Sequence, residues 1–460
     1  MASLSPWMRV ARVLLLAAGA VLLCYAIALI PREVHPLERT FNSMLAHLLQ
    51  GRLDVDPAIV GREGFAVDGR VVAYWGILPA LLRLPLTLFP GWQQLDFTIG
   101  ACLVAIAGMI ATKLWTLRLI RRALPALPAW LYRGILVALL FSGAQTGFLR
   151  FSLYQEVCLW GALWGAMFVA AAIHAQLHGL GRGALLVMAL AAGLAMLTRV
   201  SLGIGLVAAF GGVVLVETVR RRGDLQPWFR TAAAALVLLA GLGLVTALVN
   251  LGRWGNPFIF ADYHHYLYNA RYPDRVARMA AQGLFNVQRI PFGLVYYFAP
   301  VWVLQGTDGH LLLEAVRQKW IDAAELPPSS FLLTDPLLLA LGGGAIFGWL
   351  RHAGPDRARA VAIALGLAIP IGLMLCAVSM NYRYRLDFYP CFEFCAFSGL
   401  ILAARGGGAP GPRTTALLAL VSVLGTLLVS AAYLVSRLGP AELLIGGGIG
   451  NYYLEAFGLR

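Results

Sequence analysis

Two short stretches gather charged side chains in a chain that is otherwise strongly apolar. The sequence NYRYRLDFYP, residues 381–390, holds Arg383, Arg385 and Asp387 between two long apolar runs. The segment after the first apolar run holds six carboxylates: Glu33, Glu38, Asp54, Asp56, Glu63 and Asp68. A guanidinium offers a planar fork of donors that matches phosphate oxygens, and a carboxylate can take the proton of an acceptor hydroxyl. If both stretches face the same side of a membrane, they predict an active or binding site there.

The elements that position these residues are expected to be membrane-spanning helices. Of the 460 residues, 60% are hydrophobic and 13% are charged, whereas a soluble domain has roughly 25% charged residues. Since a run of roughly 20 apolar residues can cross a bilayer as a helix, the chain is predicted to be an all-α polytopic membrane protein with about eleven spans, within a range of about 10 to 13. The spans are expected at residues 10–30, 95–117, 132–147, 157–177, 184–197, 203–219, 232–249, 332–350, 360–378, 388–404 and 416–435.

Basic residues decide the orientation, because loops rich in arginine and lysine stay on the cytoplasmic side. Arg9 and Arg12 precede the first span, so the N-terminus is predicted to be cytoplasmic. The apolar run 71–89 contains two prolines and Arg83, and it is expected to lie in the outer interface as helical segments without crossing. This choice places on the cytoplasmic side a basic cluster that comprises Lys113, Arg118, Arg121, Arg122 and Arg133.

The same orientation places both charged stretches outside. The first loop, residues 31–94, and a long loop, residues 251–331, face outward within a single integral membrane domain, residues 1–460. Only two of the 36 basic residues are lysines, which suggests a bacterial source. The expected location is therefore the bacterial inner membrane, with the active face periplasmic. The net charge of +14 follows from the cytoplasmic loops and does not indicate nucleic-acid binding.

Three short motifs each allow a structural and a functional interpretation. The DVD motif places Asp54 and Asp56 where they could bind a divalent metal, and a turn before the next proline explains it about as well. Asp68 and the glycine after it are typical of a tight turn. His264 and His265 lie in FADYHHYLYN, whose tyrosines either anchor the loop at the membrane interface or form a stacking surface for a sugar ring. A divalent metal is the one cofactor that the sequence leaves open.

The stretches DGRVVAYWGILPALLRLPL and RYRLDFYP resemble segments of the GT-C glycosyltransferases, in particular of family-39-like bacterial members. The first is similar to a DG turn and an aromatic residue that precede the prolines of an interfacial helix. The second is similar to an Arg-Tyr…Asp-Phe…Pro stretch before a late span. NLGRWGNPFIF and GLFNVQRIPFGLVYYF also resemble loop segments of that family. Many members carry an adjacent acidic pair after the first span, and Glu33 and Glu38 are its nearest matches in this sequence.

The resemblance implies that a sugar moves from a polyprenyl-phosphate carrier to a lipid, glycan or protein acceptor, among membrane lipids at the outer face. Glu38, at the start of an amphipathic stretch 37–50, is then the first candidate for the catalytic base, ahead of Glu33 and Asp68. Arg383 would bind the carrier phosphate, and Asp387 would hold it from the same helix face, four residues on. The other expected substrate-binding residues are Arg199, Tyr384, Arg385, His264 and His265.

Other classes of protein fit parts of the pattern. A lipid or solute transporter, or a non-catalytic membrane assembly subunit, would also be apolar and polytopic, but a transporter is expected to carry charges at mid-membrane. Glu393 is the main charge of that kind in the predicted spans. A membrane acyltransferase would need a histidine base, for which His35 and His310 are candidates. No nucleophile elbow, Walker loop or dinucleotide motif appears.

Overall fold

The structure, a computed structural model, describes residues 6–144, 151–299, 319–321, 323–324, 330–351, 356–406 and 408–436. His310 and residues 438–460 lie outside these ranges. The helices, in chain order, are α1 (Pro6–Ala28), α2 (Thr40–Leu48), α3 (Pro57–Val60), α4 (Leu78–Leu81), α5 (Thr98–Ala123), α6 (Ala129–Leu140), α7 (Leu153–His178), α8 (Arg182–Met196), α9 (Val200–Arg220), α10 (Leu225–Trp254), α11 (Pro273–Gln282), α12 (Ile290–Phe298), α13 (Phe331–Thr334), α14 (Pro336–Arg351), α15 (Arg357–Cys376), α16 (Tyr389–Ala404) and α17 (Pro412–Ser436).

Every predicted span coincides with one of these helices. Seven helical segments in the described ranges are long and apolar enough to cross a membrane, and they comprise α5, α7, α9, α10, α15, α16 and α17. The other predicted spans correspond to the shorter apolar helices α1, α6, α8 and α14. The helical, polytopic architecture is therefore confirmed, while the number of crossings stays a prediction.

The first loop does not form one continuous helix. Strands β1 (Phe65–Val67) and β2 (Arg70–Val72) pair as an antiparallel hairpin. Its turn residues, Asp68 and Gly69, have φ angles of 49° and 74°, as a two-residue turn matching the twist of the strands requires. The tight turn predicted there is confirmed. After the hairpin, α4 and a 3₁₀ segment (Leu84–Leu88) each begin with a proline near their N-terminus, and neither is long enough to cross a membrane.

Close helix packing determines which helices form the centre of the bundle. A Cβ atom added to Gly366 of α15 would lie 2.3 Å from the Ala209 nitrogen of α9, and one added to Gly399 of α16 would lie 2.3 Å from the Leu341 oxygen of α14. Glycine therefore allows these backbones to touch. The apolar parts of α7 and α16 are each 83% buried, whereas α10 is 17% buried. Helices α7 and α16 are thus central, and α10 lies at the periphery.

One end of the bundle gathers the first loop and the termini of several helices. Leu78 N donates to Leu197 O over 3.0 Å at the end of α8, and Leu153 N at the start of α7 donates to Glu38 Oε2 over 2.7 Å. At the opposite end, Glu217 pairs with Arg220 and Arg221. A short parallel pairing of β3 (Ala323–Ala324) with β4 (Ser379–Met380) completes the first end. Carboxylates and arginines of the two charged stretches therefore lie at the same end.

Candidate active site

A cavity of about 830 Å³ lies where the first loop meets the ends of α8, α9, α10 and α15. Gly76 allows this meeting, because a Cβ atom there would lie 2.0 Å from Leu197 O. The hairpin closes another side of the cavity: Phe65 of β1 pairs with Tyr266, and Leu267 N donates to Gly64 O over 3.0 Å. The wall is thus built from segments that are far apart in the sequence.

Cations outnumber anions on the cavity wall. Among the described residues that line the cavity, four are arginines and one is a carboxylate, namely Arg199, Arg253, Arg275, Arg383 and Glu63. Such a surface attracts anionic groups, because a low-dielectric cleft of one sign focuses its field on the ligand. The wall suits a ligand that carries a negative group.

Arg199, Arg383 and Tyr384, three of the residues predicted to bind substrate, come together here. The guanidinium carbon of Arg199 lies 5.1 Å from the centre of the Tyr384 ring, and that of Arg383 lies 5.3 Å from the same ring. Arg383 also lies 4.7 Å from the Tyr154 ring. These cation–π contacts fix both guanidinium groups beside the cavity, which they line.

The partner predicted for Asp387 is wrong. Asp387 Oδ1 accepts from Arg199 Nε over 2.6 Å, and its Oδ2 accepts from Ser201 Oγ over 2.9 Å. The prediction that Asp387 holds Arg383 assumed an α-helical repeat, in which residues four apart share a face. Residues Tyr382–Asp387 instead form a 3₁₀ helix, whose three-residue turn gives a different set of faces. Asp387 therefore positions Arg199.

Arg385 points away from the cavity into a buried polar cluster. Its Nη2 donates to Thr334 Oγ1 over 2.6 Å and to Tyr389 Oη over 3.1 Å, and it lies 3.3 Å from Asp335 Oδ2. Arg385 is 2% exposed. The prediction that Arg385 binds substrate does not fit this position. Its ion pair instead anchors the 3₁₀ helix from behind, so that Arg383 and Tyr384 face the cavity.

The three carboxylates predicted as candidates for the catalytic base lie in three different places, none of them on the described cavity wall. Glu38 is 8% exposed, and its carboxylate accepts from the first backbone N–H of α7. Glu33 is exposed between α1 and the first loop helix, and Asp68 is exposed in the hairpin turn. The acid that does line the cavity is Glu63, whose Oε2 accepts from Tyr266 Oη over 2.7 Å. Burial and the Glu63 carboxylate raise the pKa of Tyr266, so its hydroxyl keeps the proton that it donates.

The tyrosines around His264 and His265 form part of the wall, but the two histidines do not. Tyr266, Tyr268 and Tyr272 stack in series, with ring centres 5.9 Å and 5.1 Å apart. All three line the cavity and offer aromatic surface to a bound ligand. The His264 and His265 side chains are 92% and 46% exposed and face Asp262.

Asp54 and Asp56 are engaged by different partners. Asp54 accepts from Arg52 Nη2 over 2.5 Å and lies 3.2 Å from His47 Nδ1. Asp56 accepts from Ala58 N over 2.8 Å and caps α3. No group of three or more histidine, cysteine, aspartate or glutamate side chains placed to hold a metal ion occurs in the described ranges. Metal binding by this pair stays a prediction.

Two buried ion pairs were not expected from the sequence. Arg83, predicted to lie in an interfacial helix, is 2% exposed and donates to Glu156 Oε2 over 2.5 Å. Lys113, predicted to belong to a cytoplasmic basic cluster, is 3% exposed, and its Nζ lies 2.5 Å from Glu393 Oε1. The signal that could have found the second pair is the lone Glu393 in a predicted span, since such a charge needs a partner.

Solved structures that are similar to this chain include ArnT and the oligosaccharyltransferase AglB. ArnT from Cupriavidus metallidurans, bound to undecaprenyl phosphate, matches 93% of this chain and 65% of its own, with a TM-score of 0.43 and 15% identity. The archaeal oligosaccharyltransferase AglB from Archaeoglobus fulgidus, in complex with an inhibitory peptide and a dolichol-phosphate, matches 90% of this chain and 55% of its own, with a TM-score of 0.45 and 13% identity. The chain thus spans less than two thirds of either. No protein-family model matches the sequence, and the comparison with curated proteins gives no match.

Proposed function

We propose that the protein is a membrane glycosyltransferase that moves a sugar from a polyprenyl-phosphate carrier to a lipid, glycan or protein acceptor. The observation that carries the proposal is the cavity at the end of the bundle, where four arginines and Glu63 line one space. This transfer needs cations for a phosphate that gains negative charge, a base for the acceptor hydroxyl, and apolar surface for a polyprenyl chain. The arginines, Glu63 and the neighbouring apolar helices supply these three elements.

The proposed chemistry is a single displacement at the anomeric carbon of the sugar. The acceptor oxygen forms a bond to that carbon, while the bond from the carbon to the phosphate oxygen breaks. The phosphate leaves with the electron pair, and Arg383 binds it beside Arg199. The acceptor proton passes to a carboxylate. Arginine suits the phosphate because its planar fork makes two parallel hydrogen bonds to phosphate oxygens.

Glu63 is our first candidate for the carboxylate that takes the proton. It lines the cavity that holds Arg199 and Arg383, whereas the sequence put Glu38 first. The Glu38 carboxylate accepts from Leu153 N and so caps the N-terminus of α7. Tyr266 donates to Glu63 Oε2 and thereby fixes the orientation of the carboxylate at the cavity wall. The Glu38 assignment stays a prediction, with Glu33 and Asp68 behind it.

Transfer measured with purified protein tests both the reaction and the base. Undecaprenyl-phosphate sugars are incubated in detergent with the protein and with a bacterial membrane extract that supplies the acceptor hydroxyl. Mass spectrometry follows the release of undecaprenyl phosphate and the glycosylated acceptor. Glu63→Gln keeps the shape of the side chain and removes its basicity, so turnover is expected to fall by about 100-fold or more. Glu38→Gln is the matched control. A loss with Glu38→Gln and normal turnover with Glu63→Gln would return the base to Glu38.

The location proposed for the protein is the bacterial inner membrane, with the cavity on the periplasmic side. Single cysteines at the exposed positions 68 and 264, near the cavity, are expected to react with a membrane-impermeant reagent in intact cells. Cysteines at 221 and 357, at the opposite end, are expected to react only after the membrane is opened. Labelling of position 221 from outside would invert the orientation.

A further inference from the structure

Among the most buried arginines of the described residues, all but one are compensated by a carboxylate or by several backbone carbonyls. Four arginines of the described ranges are no more than 3% exposed: Arg83, Arg253, Arg289 and Arg385. Arg83 pairs with Glu156, and Arg385 pairs with Asp335. Arg289 has no acidic partner among the described residues, but it donates to four backbone carbonyls, those of Gly283, Leu284, Trp320 and Cys376, over 2.7 to 3.1 Å. A buried cation without such compensation is destabilising, because its hydration is lost.

Arg253 is the exception. Its Nη1 donates to Trp75 O over 2.8 Å, and its Nη2 contacts the sulfur of Met44 at 3.5 Å. Its Nε makes no hydrogen bond within the described part of the chain, which is also true of Arg83 and Arg385. Unlike those two arginines, Arg253 has no carboxylate partner among the described residues. Arg253 also lines the cavity, which Arg83, Arg289 and Arg385 do not. The guanidinium therefore lies at the cavity wall with a backbone carbonyl and a thioether sulfur as acceptors, and with no counter-charge from a described side chain.

The end of α10 supplies part of the missing negative potential, because Arg253 lies in its last turn. A helix C-terminus carries about half an elementary charge, and its effect fades within one turn. This is less than the full counter-charge that Arg83 and Arg385 receive. Arg199, which also lines the cavity, has its charge balanced by Asp387. Arg253 thus lacks a full counter-charge among the described residues.

We propose that Arg253 forms an anion subsite in the cavity wall, and that its ligand is a phosphate-type oxyanion. This inference rests on the proposed function for the source of the phosphate, which is the carrier lipid. The oxyanion accepts from the N–H groups of Arg253 that do not bond to Trp75 O or to the Met44 sulfur. It also supplies the negative charge that no described side chain provides. The subsite lies on the α10 side of the cavity, beside Trp75 of the first loop. Binding there also fixes the first loop against α10, because Trp75 O stays on Nη1.

Phosphate binding by the purified, full-length protein tests this subsite. The probes are undecaprenyl phosphate, undecaprenol without phosphate, and inorganic phosphate, each followed by thermal shift and by titration in detergent at constant ionic strength. Arg253→Gln is expected to weaken undecaprenyl phosphate binding by about 10- to 100-fold, the effect of losing a charge-assisted hydrogen bond. Undecaprenol binding is expected to be unchanged. Arg253→Lys keeps one point charge without the planar fork, so its affinity for undecaprenyl phosphate is expected to lie between that of the wild type and that of Arg253→Gln.

A structural role for Arg253 makes different predictions. If Arg253 only ties the first loop to α10, Arg253→Gln lowers the melting temperature and leaves the phosphate-induced shift intact. If Arg253 forms an anion subsite, Arg253→Gln is no less stable than the wild type when phosphate is absent, and phosphate no longer stabilises the variant. Arg289→Gln, which removes a buried arginine away from the cavity, controls for a general loss of stability.

The outcomes also separate this inference from the proposed function. Binding of inorganic phosphate that depends on Arg253, without binding of undecaprenyl phosphate, would keep the subsite and reject the polyprenyl carrier. Normal phosphate affinity in folded Arg253→Gln and Arg253→Lys would overturn the subsite and leave the transferase proposal standing. Absence of any phosphate binding by the wild type would overturn the subsite as well.

Discussion

Arg199 and Asp387, which are 188 positions apart in the chain, form an ion pair in which Arg199 Nε donates to Asp387 Oδ1 over 2.6 Å. The pair joins the start of α9 to the 3₁₀ helix before α16. Asp387 is 1% exposed, and Ser201 donates to its second oxygen. Arg199 is therefore held in one orientation at the cavity wall, beside Tyr384.

Substitution of Asp387 should lower the stability of the protein. Asp387→Ala leaves Arg199 without its partner, and loss of one member of a buried pair costs about 3 to 5 kcal/mol. Thermal unfolding in detergent measures this loss. Ser201→Ala removes one neutral hydrogen bond and is the control, with an expected cost of about 1 kcal/mol. Equal melting temperatures for Asp387→Ala and the wild type would show that the ion pair does not stabilise the contact between α9 and the 3₁₀ helix.

Arg383→Lys should keep the protein folded and weaken its use of the donor. Lysine retains the charge but lacks the planar fork, so the affinity for a polyprenyl-phosphate sugar is expected to fall by about 10-fold. Titration of the purified protein with the donor measures the effect. If Arg383 only anchored the loop at the membrane surface, Arg383→Lys would not lower the affinity for the donor, since lysine reaches the interface equally well. Arg133→Lys, at an exposed arginine on the opposite end, is the control.

The Lys113–Glu393 pair should behave as a buried pair whose members depend on each other. Lys113→Met leaves Glu393 uncompensated and is expected to cost about 3 to 5 kcal/mol. The double variant Lys113→Met with Glu393→Leu removes both charges, and it should recover most of the stability. The free energies of unfolding of the wild type, the two single variants and the double variant form a double-mutant cycle that measures the interaction. Additive losses would mean that the two side chains do not interact.

Asp54 should make stability depend on pH in the acid range. Burial favours a higher pKa, but hydrogen bonds from Arg52, from its own backbone and from His47 outweigh it and lower the pKa of Asp54 from 3.8. Since the folded state binds the proton more weakly than the unfolded state, the ionised group stabilises the fold above pH 3.8, and this contribution is lost as the pH falls through the lowered pKa.

The comparison of Asp54→Asn with the wild type checks this. The variant is expected to be less stable by about 1 kcal/mol at neutral pH, and the difference should shrink below pH 3.8. Asp56→Asn is the control, because asparagine caps α3 nearly as well as aspartate. A stability difference for Asp54→Asn that stays constant into the acid range would contradict the assignment.

Much of the fold could be predicted from the sequence, because local patterns determine it. Apolar runs of sufficient length form helices wherever the backbone must satisfy its own hydrogen bonds in a membrane, and each predicted span lies on a helix. The prolines of the first loop stop a helix there by removing an N–H donor. The turn at Asp68 and Gly69 depends only on which residues tolerate a positive φ.

The partners of the charged residues were decided by the tertiary structure. Asp387 binds Arg199 and not Arg383, Lys113 meets Glu393, and Glu63 replaces Glu38 on the cavity wall. Each of these relationships depends on how helices pack at glycines and on how the first loop closes over their ends. Arg253 lies in NLGRWGNPFIF, a stretch that the sequence singled out without giving the arginine a role. Whether a buried arginine has a counter-charge is a property of its surroundings, so composition and spacing carry no record of it.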